Sequence, residues 1–151
     1  MSLTVRRATS EDSDVVVDFN RRLAEESEGK KLDGALLKAG VAQALTDPHK
    51  ALYFLAEDAG RVIGQIMITT EWSDWRNGWF WWIQSVYVRP EARRRGVFRA
   101  LFEHVSHVAR QDPTVIGLRL YVDHQNHAAQ ETYRRLGMTE TGYLVLEKHP
   151  V

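Results

Sequence analysis

Between Ala51 and Val88 the hydrophobic pattern leaves room for little except a sheet. ALYFLAE (51–57), RVIGQIMITT (61–70) and WFWWIQSVYV (79–88) are apolar runs of strand length, rich in β-branched and aromatic residues. Asp58-Ala59-Gly60 separates the first two by a hairpin-sized turn, so they pair antiparallel. The third run is apolar on nearly every position, as expected of a central strand covered on both faces. Such a sheet needs helices on both sides.

The flanks supply them. Leu3 to Ala8 alternates and reads as a first strand, and Thr9-x-x-Asp12 is a capping-box pattern. The helix it opens carries Val15, Val16, Phe19 and Leu23 as an apolar stripe. Glu25 to Lys31, charged and broken by Gly29, reads as a loop. A second helix starts near Asp33, with Leu37, Val41 and Leu45 on one face, and stops before Pro48. After the strands, a helix spans about Arg95 to Gln111, with Val97, Leu101, Val105 and Val108 inward. Val115 to Val122 is a strand, Asn126 to Leu136 a helix closed by Gly137, and a last strand lies within Thr139 to Lys148. The predicted order is β-α-α-β-β-β-α-β-α-β. The strand-helix-strand crossover should be right-handed, with its two strands parallel. The fold class is therefore α/β or α+β, one mixed, mostly antiparallel sheet with helices on both faces.

A length of 151 residues, without repeats or linkers, predicts a single domain over 1–151. Lysine plus arginine and aspartate plus glutamate are both 20, a net charge of zero that argues against a nucleic-acid binder. The absence of cysteine excludes disulfides, a thiol nucleophile and thiolate metal sites. The opening MSLTVRRATSED holds no apolar run of the signal-peptide kind, and no stretch reaches about 18 consecutive apolar residues, so a cytoplasmic protein that does not enter membranes is expected.

Within this neutral chain, positive charge is concentrated in EARRRGVFRAL (91–101), between a strand and a helix. A helix start presents unpaired N–H groups and the positive end of the helix dipole, and a glycine there admits a ligand close to the backbone. Arg93-x-x-Gly96 has the parts of a pyrophosphate cradle. The alternative is that Gly96 is a turn residue and the arginines a solvated face.

VYVRPEARRRGVFRALF resembles motif A of the GNAT superfamily of N-acetyltransferases: a strand, a turn, then Arg/Gln-x-x-Gly-x-Gly/Ala opening a helix. Arg93, Arg94, Arg95, Gly96, Val97 and Phe98 occupy those six places, and Phe98 departs from the usual Gly or Ala. NHAAQETYRRLGM (126–138) is similar to motif B of the same superfamily, through Asn126, Ala129, Tyr133 and Gly137. The element order agrees over nearly the whole chain, which is identified as a small, bacterial-type, single-domain member.

The resemblance implies acetyl-CoA as acyl donor, no metal, and direct transfer to a primary amine. It implies that strands 81–88 and 115–122 splay to admit the pantetheine arm, held by the backbone around Val86, Tyr87 and Val88. The Val86 N–H would polarise the thioester carbonyl, the N–H groups of Arg94 to Arg99 would seat pyrophosphate, and an arginine side chain would reach the 3′-phosphate. Asn126 and Ala129 would border the pantetheine or the tetrahedral intermediate. Tyr133 is the candidate acid for the leaving thiolate; packing against the sheet is its other reading. The position where some members carry a basic glutamate is Trp82 here, leaving Glu71, Asp74, Glu28, His124 or a water chain as alternatives for the base.

All five tryptophans fall in WSDWRNGWFWW. Trp79 and Trp81 read as core. Trp72 and Trp75 flank Asp74 in a polar loop, and with Trp82 and Glu28 they are candidates to line a pocket for a cationic amine. His104-x-x-His107 and His124-x-x-His127 read as solvated helix faces rather than metal ligands. A non-catalytic CoA or acyl-CoA sensor on the same fold is the competing function. The acceptor, small amine or peptide, is open, as is a homodimer, which is common in the family.

Overall fold

The computed structural model describes residues 1–151. They divide into two compact units, Met1–Leu120 and Tyr121–Val151. The first unit holds β1 (Leu3–Arg7), α1 (Ser13–Glu28), α2 (Gly34–Thr46), β2 (Leu52–Asp58), β3 (Arg61–Ser73), β4 (Gly78–Val88), α3 (Val97–Gln111) and β5 (Val115–Leu120). The second holds α4 (His127–Arg135).

The Thr9–Asp12 capping box forms as its spacing predicts and opens a short 3-10 turn that leads into α1. The helix does not stop at Glu25. Three of the residues from Glu25 to Glu28 are glutamates, which are good helix formers, and the chain leaves the helix only where Gly29 adopts φ +62°. For α2 the Asp33 carboxylate accepts hydrogen bonds from the Ala35 and Leu36 N–H groups, as an N-cap should.

The five strands lie in sequence order, β1-β2-β3-β4-β5. The first four are antiparallel; β4 and β5 are parallel, joined by the α3 crossover. Side-chain alternation assigns a face to each helix. Tyr53 and Leu55 pack with Val16 and Val41 of α1 and α2. Their neighbours in β2 and β3 face the other way: the Phe54 ring meets His104 at 5.1 Å, and Gly64 lies under Val97 and Leu101 of α3. Helices therefore cover both faces. Val16, Phe19, Leu55, Ile66, Ile68 and Leu101 have no exposed surface. Each such side chain contributes about 1.5–3 kcal/mol of burial.

The expected end of the hairpin's second strand and the setting of His104 also fail in this unit. The second strand of the hairpin does not end at Thr70 but continues through Ser73, because Glu71, Trp72 and Ser73 pair with Phe80, Trp79 and Gly78. His104 is not on a solvated face: its ring packs on Phe54, and burial, with His107 as a second cause, holds its pKa below the ordinary value.

In the second unit Asn126 caps α4, and Gly137, at φ +92°, follows its end where the stop was predicted. The final strand does not form. Residues 139–148 have neither helix nor strand, and Tyr143, Leu144, Val145 and Leu146 are exposed. Apolar alternation marks a segment able to pair; the ladder itself needs a partner edge.

Candidate functional site

The β4 strand is irregular toward its C-terminal end. Gln65 of β3 pairs with Tyr87 and Met67 with Gln84, so two residues, Ser85 and Val86, oppose the single Ile66. This is a β-bulge, and Ser85 adopts φ +51°, a left-handed conformation uncommon for a side chain with a Cβ. On the other side, the pairing with β5 runs from Trp79 to Ile83 and stops. The C-terminal half of β4, Gln84 to Val88, thus passes beyond the β5 ladder.

A turn from Pro90 to Ala92 then leads to α3. Arg94 at φ +62° and Gly96 at φ +81° bend the chain, and Gly96 is the N-cap of α3 without any side-chain cap on the first N–H groups. Alternating backbone signs of this kind form anion-binding concavities, and the helix dipole adds to them. A Cβ built at Gly96 meets no atom within 4 Å, so φ and not crowding asks for glycine.

The arginines divide. Arg93 is tied to the protein itself: Nε donates to the Val88 carbonyl at 2.9 Å, Nη2 to Glu26 at 3.1 Å, and the guanidinium lies 5.5 Å from the Tyr87 ring centroid. Arg99 pairs with Glu103 at 2.8 Å along the helix. Arg94 and Arg95 are exposed and make no ion pair. The Phe98 ring, the departure noted in the motif, is directed along α3 toward Phe102, 6.1 Å between centroids. Tyr87 is buried on Phe19, and burial, then the Glu26 carboxylate, raises its phenol above the ordinary pKa; only its main chain is left to meet a ligand.

Of the base and acceptor candidates in this unit, Glu71 and Trp82 are brought together. Trp82 Nε1 and Arg119 Nη1 both donate to Glu71 Oε1 at 3.0 Å. Arg119 also lies 3.6 Å from the centroid of Phe80, whose ring fits because residue 117 opposite is glycine: a Cβ there would stand 2.9 Å from Phe80 Cε1. Trp72 faces the other side of the sheet, edge-on to Trp79 at 5.0 Å, so it is not with Trp82; nor is it in a loop. Trp79 is 37% exposed rather than core, whereas Trp81 is buried. Asp74 and Trp75 sit in the exposed turn after β3, and Glu28 ends α1, 3.7 Å from Lys30.

In the second unit, Asn126 Oδ1 accepts the Ala129 N–H at 3.1 Å, leaving Nδ2 as its donor. Burial raises the Tyr133 phenol above its ordinary pKa, which keeps it protonated at neutral pH. His124 is exposed, 3.8 Å from Asp123. No three His, Cys, Asp or Glu side chains cluster to hold a metal ion, and no helix is long and apolar enough to cross a membrane.

The Acetyltransferase (GNAT) family model matches residues 16–138. The chain belongs to the GNAT family. It is 43% identical to a possible acetyltransferase from Clostridium difficile 630, with a TM-score of 0.93 over 99% of this chain and 98% of that one. A predicted acetyltransferase from Clostridium acetobutylicum, crystallised with acetyl-CoA, shares the fold at 18% identity and TM-score 0.78, over 96% of each chain. An aminoglycoside acetyltransferase from an uncultured soil metagenomic sample does so at 18% identity and TM-score 0.74, over 100% of this chain and 99% of that one. No curated protein matches the chain. The mixed sheet and four helices are the GNAT fold.

Two groups in this GNAT chain escape sequence reasoning. Arg119 and Phe80 become partners of Glu71 only through the parallel register of β4 and β5. Gln65, wholly buried under Ser85, carried a signal: it is the lone polar residue in VIGQIMI (62–68).

Proposed function

We propose that the chain is an acetyl-CoA-dependent N-acetyltransferase, residues 1–151 forming one catalytic domain that moves an acetyl group directly to a primary amine. The observation that carries this reading is the β4 bulge at Ser85–Val86 followed within a dozen residues by the uncapped start of α3 at Gly96. In the proposal, the N–H groups of Arg94 to Arg99 receive the pyrophosphate, Arg94 or Arg95 reaches the 3′-phosphate, and the main chain of Val86, Tyr87 and Val88 lines the pantetheine arm. The Val86 N–H donates to the thioester carbonyl, a bond that strengthens as the oxygen becomes an oxyanion.

Glu71 holds the acceptor ammonium on the Trp82 and Arg119 face of the sheet. Its Oε1 is shared by two donors, one of them the Arg119 guanidinium, so Oε2 is the oxygen offered to the cation. The amine loses its proton to solvent, at a cost of roughly 4 kcal/mol for a group with a pKa near 10 at pH 7. Its nitrogen attacks the carbonyl carbon, the tetrahedral intermediate gives up the second amine proton to solvent and collapses, the C–S bond breaks, and Tyr133 gives its proton to the departing thiolate and regains one from solvent. Asn126, through Nδ2, and Ala129 border the donor. No covalent enzyme intermediate forms, in keeping with a chain that has no cysteine.

The test is CoA-thiol release from acetyl-CoA across small polyamines, aminoglycosides and amino-terminal peptides, with thermal stabilisation by acetyl-CoA measured in parallel. Release with at least one amine class is expected. Stabilisation without release for any amine would leave a CoA-binding sensor, and neither would refute the proposal.

A further inference from the structure

We infer that Gln65 is a positioning residue for acetyl transfer: its side-chain amide grips the Ser85 carbonyl and thereby aims the Val86 N–H at the thioester oxygen. The inference rests on the transfer reaction proposed above. Gln65 has no exposed surface, and its Nε2 donates to the Ser85 carbonyl oxygen at 2.9 Å and to Asn20 Oδ1 at 3.2 Å. Asn20 Nδ2 in turn donates to the Tyr53 hydroxyl at 3.1 Å, and the Tyr53 hydroxyl meets the Ser85 side chain. Side chains of α1, β2 and β3 thus converge on the one residue of β4 that holds a left-handed conformation.

The geometry of the peptide unit links this grip to the donor. The Ser85 carbonyl and the Val86 N–H belong to one planar trans peptide, so they point in opposite directions. Holding the carbonyl toward Gln65 turns the N–H away from it. A bulge residue without such a hold is free to rotate the peptide, because the ladder is broken there and pairing with β5 has already ended at Ile83.

Stability alone does not account for the glutamine. Its Oε1 is buried and has no hydrogen-bond partner, which is unfavourable inside a protein. Turning the amide over is no remedy, since Oε1 would then face two acceptors, the Ser85 carbonyl and Asn20 Oδ1. A methionine would fill a similar volume with no unpaired oxygen. The amide is kept where its donor side has a task.

The test uses Gln65→Met, which has no donor, and Gln65→Glu, isosteric but able only to accept when ionised. Turnover with an accepted amine should fall 10- to 100-fold in both, while KM for acetyl-CoA and its Kd by titration stay within threefold. The Val86 amide resonance of the ligand-free, 15N-labelled Met variant should move, a signature that general loosening of the fold would not confine to the bulge. Turnover within twofold of wild type, or a loss carried by KM alone, overturns the inference. Failure of both variants to fold overturns it too, by making Gln65 a stability element. If the wild type transfers to no amine, the transfer reading fails separately. The Val86 resonance still decides whether Gln65 sets the bulge: a shift sustains that part, and an unchanged resonance overturns it.

Discussion

Replacing Gly96 by alanine separates backbone strain from ligand binding at one position. Gly96 sits at φ +81°, and an L-residue in the left-handed region costs about 1–2 kcal/mol. Nothing in the protein lies within 4 Å of the new Cβ, so no clash adds to that figure. The ligand-free variant should therefore melt about 2–8 °C lower, taking roughly 2–4 °C per kcal/mol for a chain of this size. The empty space is also where the pyrophosphate is proposed to approach the α3 N–H groups. Losing one charge-assisted hydrogen bond there, worth about 1.5–3 kcal/mol, weakens binding about tenfold or more. At an acetyl-CoA concentration of a hundred times the wild-type Kd, wild type gains about 2.7 kcal/mol. A variant binding tenfold more weakly gains about 1.4 kcal/mol. Thermal melts of both proteins with and without acetyl-CoA, at matched concentrations, read the two effects independently. A variant that starts lower yet gains as much as wild type would show that Gly96 only turns the chain, and the cradle would have to be sought elsewhere.

Tyr133→Phe keeps the ring and removes the proton; turnover should fall by about 10² to 10⁴ with acetyl-CoA affinity within a few-fold, and near-normal turnover would reduce Tyr133 to packing. Glu71→Gln keeps an acceptor for Trp82 and Arg119 but removes the charge, so KM for a cationic amine should rise about 10-fold or more with kcat little changed. A fall in kcat at constant KM would instead make Glu71 the base. Arg6, hydrogen-bonded at 2.8 Å, holds the Asp12 carboxyl below its ordinary pKa. A depressed carboxyl contributes stability above its unfolded value near 4 and loses it as pH falls through the folded one. Melts from pH 6 to pH 2.5 should show this contribution disappear below about pH 4, and Asp12→Asn should flatten that limb.

Most of the fold was legible because the signals were local and strong. The Ala51–Val88 runs, the helix start near Asp33 and the Gly137 stop each depend on neighbouring residues, and each appears at or within a few residues of its expected place. What escaped depends on pairing. Whether Glu71–Ser73 extends β3 is decided by Gly78–Phe80 across the hairpin, and Trp72 and Trp82 part company because strand alternation places them on opposite faces. The expectation that the tail pairs failed for the same reason. At the site, the glycine and the motif residues could be read from spacing, but the bulge could not. It arises from one extra residue in β4, visible only once the register with β3 is known.

The arginine cluster illustrates how far charge composition can mislead about a site. Four guanidiniums between Arg93 and Arg99 suggest one basic patch, yet two of them are neutralised by Glu26 and Glu103, and Arg93 also braces the main chain at Val88. That leaves Arg94 and Arg95, on a chain of zero net charge, as the free cations of the turn. Two exposed charges are too few to hold a polyanion by counterion release, which needs many phosphate contacts. They suit a single phosphate held beside a helix start, where main-chain N–H groups supply direction and the side chains supply field. On this reading the donor's affinity resides chiefly in the backbone at the start of α3, and its activation in the backbone of β4. The residues that shape that backbone, Gly96 by its φ and Gln65 by its grip on Ser85, should then matter more to transfer than any one arginine.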